Sequence, residues 1–148
     1  MRLFSAATFR LAFALVALAF AFVSSGCKKE GLDISLLYGG SRGVRTWALA
    51  DITPGPFGNG PERCNADDFL IFARNATGQF DNGPLICQEG EIKTLDFNWT
   101  ADPGAQRITL IYAVDGRREI WSITKLETSR LEISRTGLPS DVRVYNAR

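Results

Sequence analysis

The sequence predicts an all-β protein: an eight-stranded, antiparallel, up-and-down barrel behind an N-terminal signal segment. Three observations carry that prediction. Beyond Gly43, β-branched and aromatic residues come in short runs separated by turn residues at intervals of roughly 8 to 14 residues. Within the runs apolar side chains recur at every second position, the period of a strand with one covered face, and no stretch sustains a helical period. The runs are joined by short links containing Gly, Asp, Asn and Pro, which implies pairing in chain order.

The elements follow in order. Arg2 and Arg10 give a positive start, and residues 11–23 are an uncharged apolar run too short to span a bilayer comfortably, so residues 1–26 read as a secretory leader. Ser24-Ser25-Gly26-Cys27 resembles the cleavage box of a lipoprotein signal peptide, although Ser24 stands where that box usually has Leu. The resemblance implies that Cys27, as the first mature residue, carries fatty chains such as palmitate. At about 0.8 kcal/mol per buried methylene these would anchor the protein to a membrane. No Asp follows Cys27, which by the same resemblance implies the outer membrane of a bacterial envelope, on its periplasmic or its surface face. Ordinary secretion, with Cys27 left as a spare thiol, is the other reading. Residues 27–43 form a tether or an N-terminal plug, and residues 44–148 the barrel domain.

Removing the leader leaves about 122 residues, enough for one domain, and turns a net charge of +1 into −1. A nucleic-acid partner is not expected at that balance. With Cys27 lipidated, Cys64 and Cys87 are left to pair in an oxidising compartment, and closing this 23-residue separation would stabilise the fold by roughly 3 kcal/mol.

The predicted strands are residues 45–52, 68–74, 79–87, 91–99, 106–115, 118–126, 129–135 and 141–145. Ile108, Leu110, Tyr112 and Val114 share one face of the fifth, and Lys93, Leu95, Phe97 and Trp99 one face of the fourth. In the seventh, Leu131 and Ile133 alternate with Arg130, Glu132 and Ser134. Asp115-Gly116 suits a two-residue hairpin, and Asp102-Pro103-Gly104 a longer connection. Such a meander can close on itself, leaving room for side chains or one small ligand. An open sandwich of the same strands is the alternative. Residues 53–63 form an irregular Pro- and Gly-rich loop, either a flap over the barrel mouth with Phe57 as its apolar contact or a surface crossover pinned by Cys64.

A set of segments resembles the lipocalin-like domains of bacterial lipoproteins, those of Bacteroidetes above all. They are Trp47-Ala-Leu, Cys64-Asn-Ala-Asp-Asp-Phe-Leu-Ile-Phe, the Gly78-Gln-Phe turn, Cys87, Leu95-Asp-Phe-Asn-Trp99, Ile108-Thr-Leu and the hairpin from Ile123 to Ile133. The match spans roughly residues 44–136. Lipocalins proper place Gly two residues before the first-strand Trp, where Arg45 stands here. The resemblance implies a lipocalin-like barrel.

The candidate chemistry is sparse. Histidine is absent, and the adjacent carboxylates Asp67-Asp68 should point to opposite faces of a strand, so neither a metal nor a cofactor is expected. Scattered carboxylates such as Asp96, Glu119 and Glu127 define no glycosidase pair, and Gly39-Gly40-Ser41-Arg42-Gly43 lacks the Lys and helix of a phosphate cradle, so no catalytic residue is assigned. The aromatics Trp47, Phe57, Phe69, Phe72, Phe97, Trp99, Tyr112 and Trp121 are the candidate ligand contacts. Their inward members either line an apolar pocket or fill the barrel as core. The expected function is therefore a lipid-anchored lipoprotein that binds a small apolar or amphipathic ligand. The alternative is a filled barrel serving as a scaffold for an envelope protein partner.

Overall fold

A computed structural model describes residues 31–53, 63–135 and 141–148. The strands in chain order are β1 (Val44–Thr53), β2 (Phe69–Ala73), β3 (Thr77–Asp81), β4 (Thr94–Asp102), β5 (Arg107–Tyr112), β6 (Arg118–Leu126), β7 (Arg130–Arg135) and β8 (Val142–Ala147). Each pairs antiparallel with its neighbour, and β1 also pairs with β8, from Trp47 opposite Ala147 to Thr53 opposite Val142. The sheet is closed, which removes the open-sandwich alternative and leaves no free edge.

Several boundaries differ from those expected, for local reasons. β3 stops at Asp81 instead of running to Cys87, because Gly83 takes φ 63° and Pro84 has no N–H for a ladder. Residues 82–93 are thus a loop that contains Cys87, and Lys93 precedes β4 instead of sharing its inner face. The link from β5 to β6 is longer than a two-residue hairpin. The Tyr112 N–H donates to the Arg117 carbonyl (2.9 Å), so residues 113–116 lie between them, with Gly116 at φ 69°. Val114 sits in this link, 66% exposed, outside the strand alternation.

Alternation builds the core. Leu70 and Phe72, Phe97 and Trp99, Ile108 and Leu110, Trp121 and Ile123, and Leu131 and Ile133 are buried two apart on their strands. In β1 the register against β8 shifts between Leu49 and Asp51, and this bulge brings Ile52 inward three residues after Leu49. A run of ring contacts fills the interior. Tyr38 lies 6.3 Å from Trp99, Trp99 5.5 Å from Phe72, Phe72 5.7 Å from Phe97, and Phe97 6.2 Å from Tyr112, centroid to centroid. The last three pairs meet edge to face, the arrangement aromatic quadrupoles favour. Gly78 makes the Phe97 placement possible: a Cβ there would collide with the Phe97 ring and lie 2.6 Å from the Ile71 carbonyl oxygen.

Residues 31–43 belong to the same unit as the strands and close one end of the barrel. They form two short 3-10 turns, Ile34–Leu36 and Gly40–Arg42, the first capped by the Asp33 carboxylate, which accepts from the Ser35 N–H (3.0 Å). Leu37 is fully buried, and its carbonyl accepts from the Trp47 indole N–H (2.9 Å). Arg45 donates to the Leu36 carbonyl and Arg74 to that of Gly40, so the segment is tied to β1 and to the β2–β3 turn, while a second Arg45 bond, to the Thr128 carbonyl, joins β1 to the β6–β7 turn.

Candidate functional site

At the opposite end the inward-facing positions change character. Asp68 precedes Leu70 on the same face, Glu119 precedes Trp121, Arg135 follows Ile133, and Arg143 precedes Tyr145, so strand alternation turns four charged side chains into the barrel mouth. They line a cup of about 200 Å3, whose apolar surface comes from Phe80, Leu95, Tyr112 and Trp121 and whose rim adds Asn65, Asn82, Glu91 and Arg117. A larger hollow of about 440 Å3 lies on the outer face of β2, β3 and β4, among Ile71, Gln79, Asp96 and Asn98. It is an open groove without a buried polar side chain and defines no site.

The disulfide holds the wall of the cup. Cys64 and Cys87 are joined with their Cα atoms 5.1 Å apart, linking the chain just before Asn65 to the loop of residues 82–93. That loop is fixed by carboxylates on both sides. The Glu91 side chain accepts from the Cys87 N–H (2.8 Å) and from the Asn82 amide (3.2 Å), and the Asp67 side chain accepts from the Leu85 N–H (3.0 Å). Asp67 and Asp68 therefore do point apart, one to the loop and one to the cup.

Asp68 is the distinctive group. It is 2% exposed, the one hydrogen bond its side chain makes among the described residues is from the Asn65 amide at 3.3 Å, and its other oxygen is buried without a partner. Burial pushes this carboxyl up from 3.8 to about 6, against the opposing pull of the Asn65 hydrogen bond and of Arg143. The cations are differently placed. Arg135 donates from Nε to one Asp141 oxygen (2.6 Å) and Arg143 to the other (3.4 Å), while Arg117 meets Glu119 at 3.2 Å and stacks 4.6 Å from the centre of the Tyr112 ring. Burial, helped by the Glu119 carboxylate, raises the Tyr112 hydroxyl to about 12, so it stays neutral. The Tyr145 hydroxyl is fully buried beside Arg143 but makes no well-formed hydrogen bond, and burial raises it too.

Of the residues the sequence singles out, Tyr112 and Trp121 line the cup. Trp47, Phe72, Phe97 and Trp99 are buried in the packed interior. Phe69 is on the outer face of β2, where the Arg148 guanidinium lies 4.9 Å from its ring centre. Cys27, the leader and Phe57 lie outside the described residues. Among the described residues no group of three or more His, Cys, Asp or Glu side chains is placed to hold a metal ion. Four charged residues of the cup carry a signal that pattern reading passes over: Asp68, Glu119, Arg135 and Arg143 have the parity of the core residues next to them.

Comparison with family models, curated proteins and solved structures found no match to this chain.

Proposed function

We propose that this protein is a lipid-anchored lipoprotein of a bacterial envelope, held through Cys27, whose lipocalin-like barrel binds a small amphipathic molecule in its open mouth without transforming it. The observation that carries the reading is Asp68, a carboxyl buried in a cup with an aromatic surface, where its charged form is disfavoured. A group that costs stability in the folded state while lining a concave site is a mark of binding sites. The interior beyond the cup is filled by the aromatic run, so the ligand is seated at the mouth, with its apolar part against Leu95 and Trp121.

The cup suits a ligand of about ten non-hydrogen atoms, for which an efficiency of about −0.4 kcal/mol per atom gives a dissociation constant near 1 mM. Saturation-transfer NMR with 3-phenyl-1-propanol tests this. Binding should be seen with the native protein and lost in Leu95→Trp, which fills the cup; equal binding by both would place the site elsewhere. For the anchor, mass spectrometry of protein made in a bacterium should find diacylglycerol on Cys27, and Cys27→Ser should shift the protein from the detergent phase to water. An unmodified Cys27 would end that part of the reading.

A second reading, a scaffold for an envelope partner, draws on the apolar side chains that the loop of residues 82–93 presents to solvent, Leu85 at 44%, Ile86 at 65% and Ile92 at 53% exposed. Ile86→Asp should then release a partner that cross-links to the native protein.

A further inference from the structure

We infer that the cup selects a ligand whose polar end is uncharged and donates a hydrogen bond, a hydroxyl or an amide N–H, and that Asp68 receives it. This rests on the binding function proposed above and specifies the chemistry of the ligand.

The charge inventory of the cup decides against an anionic head. Asp68, Glu91 and Glu119 face Arg117, Arg135 and Arg143, and Asp141 stands against two of these arginines, so the cup has no excess of positive charge to draw an anion. The arginines are already engaged, Arg117 with Glu119, and Arg135 and Arg143 with Asp141. An anionic head would have to share these guanidinium groups with the carboxylates that already hold them. Glu91 uses both oxygens within the wall, on Asn82 and on Cys87.

Among the carboxylates of the described lining, Asp68 is the one with an oxygen that has no partner. A carboxylate offers about four lone-pair sites, and here one hydrogen bond, from Asn65, is made. The terminal torsion of an Asp is soft, so a small rotation can turn either oxygen to the cup while the other keeps Asn65. A cationic head would meet Asp68 with Arg143 close enough to pull on the same carboxyl. A neutral donor fills the open acceptor without setting a second cation beside Arg143. The rest of such a ligand lies on the Leu95 and Trp121 surfaces.

The test is a set of probes with one apolar body. 3-Phenyl-1-propanol, its methyl ether, 3-phenylpropylammonium and 3-phenylpropionate are titrated into the native protein and into Asp68→Leu, with binding read by NMR. The alcohol should bind about tenfold more tightly than the ether, which cannot donate, and more tightly than either ion. In Asp68→Leu alcohol and ether should bind alike, which excludes the added methyl as the cause. Should that variant fail to fold, the order of the four probes on the native protein still decides. Equal binding of alcohol and ether, or tightest binding of an ion, would overturn the inference while leaving the cup as a binding site. Failure of all four to bind would remove the proposed function, and the inference with it.

Discussion

Trp47→Phe probes the join between the barrel and its closing segment. The Trp47 indole is fully buried, and its N–H is the partner of the Leu37 carbonyl, itself inside the protein. Phenylalanine removes about 40 Å2 of buried surface, worth about 1 kcal/mol at about 25 cal/mol per Å2. It also leaves a buried carbonyl unmatched, which costs about 1–3 kcal/mol. A loss of about 2–4 kcal/mol follows, and the Arg45 guanidinium, 5.3 Å from the centre of the same ring, loses part of its cation–π contact as well. Urea unfolding reports it, with fluorescence of Trp99 and Trp121 as the signal. With a slope of about 1.5 kcal/mol per M, a 3 kcal/mol loss lowers the midpoint by about 2 M at unchanged slope. A midpoint within 0.3 M of the native value, about 0.5 kcal/mol on the same slope, would mean that residues 31–43 are not part of the core, and the reasoning would fail.

Reduction of Cys64–Cys87, or replacement of both by Ala, should lower stability by about 3 kcal/mol, read as a fall in melting temperature, and should loosen the cup more than the closed end. Gly78→Ala should cost about 1–3 kcal/mol by urea unfolding, because its methyl group meets Phe97 and the Ile71 carbonyl. The Asp68 carboxyl rises from 3.8 to about 6 on folding, so the folded state binds the extra proton. Its contribution is therefore most favourable below pH 4 and is lost as pH rises through 6. At about 1.36 kcal/mol per unit, the loss is on the order of 2–3 kcal/mol. Asp68→Asn should accordingly be more stable than the native protein at pH 7.5 and equal to it near pH 4; a variant destabilised at pH 7.5 would show that the charged form is favoured in the fold.

Much of the barrel was legible because a closed meander needs only period-two alternation and turns, and β5, β6 and β7 have both. Their core positions, Ile108 with Leu110, Trp121 with Ile123 and Leu131 with Ile133, follow from parity alone. The third and fourth strands were misplaced because residues 82–93 hold Leu85, Ile86 and Ile92, apolar residues that read as strand but stand in a loop fixed by Gly83, Pro84 and the disulfide. The two-residue hairpin at Asp115-Gly116 failed because Tyr112 pairs with Arg117 and draws four residues into the turn.

The site was legible only in part. Tyr112 and Trp121 were marked as aromatics, but the charged members of the cup were assigned no role, since an inward charge breaks the rule that makes parity useful. Asp68, Glu119, Arg135 and Arg143 lie on the inner face because the barrel mouth is where a strand's inner face meets water. Their pairing, Arg135 and Arg143 on one Asp141, needs the closure of β7 against β8, and sequence spacing does not contain it.

The three tryptophans stand at different depths, each with its indole N–H on a different partner: Trp47 on the Leu37 carbonyl, Trp99 on the Thr77 carbonyl (3.0 Å) and Trp121 on the Glu119 carboxylate (2.9 Å). A nitrogen–proton correlation spectrum followed during titration with 3-phenyl-1-propanol reads all three at once. A filled barrel with one open, ligand-binding mouth predicts that the Trp121 indole signal moves to saturation while those of Trp47 and Trp99 stay in place. Movement of Trp47 or Trp99 with Trp121 unchanged, or no movement of any of the three, would contradict it.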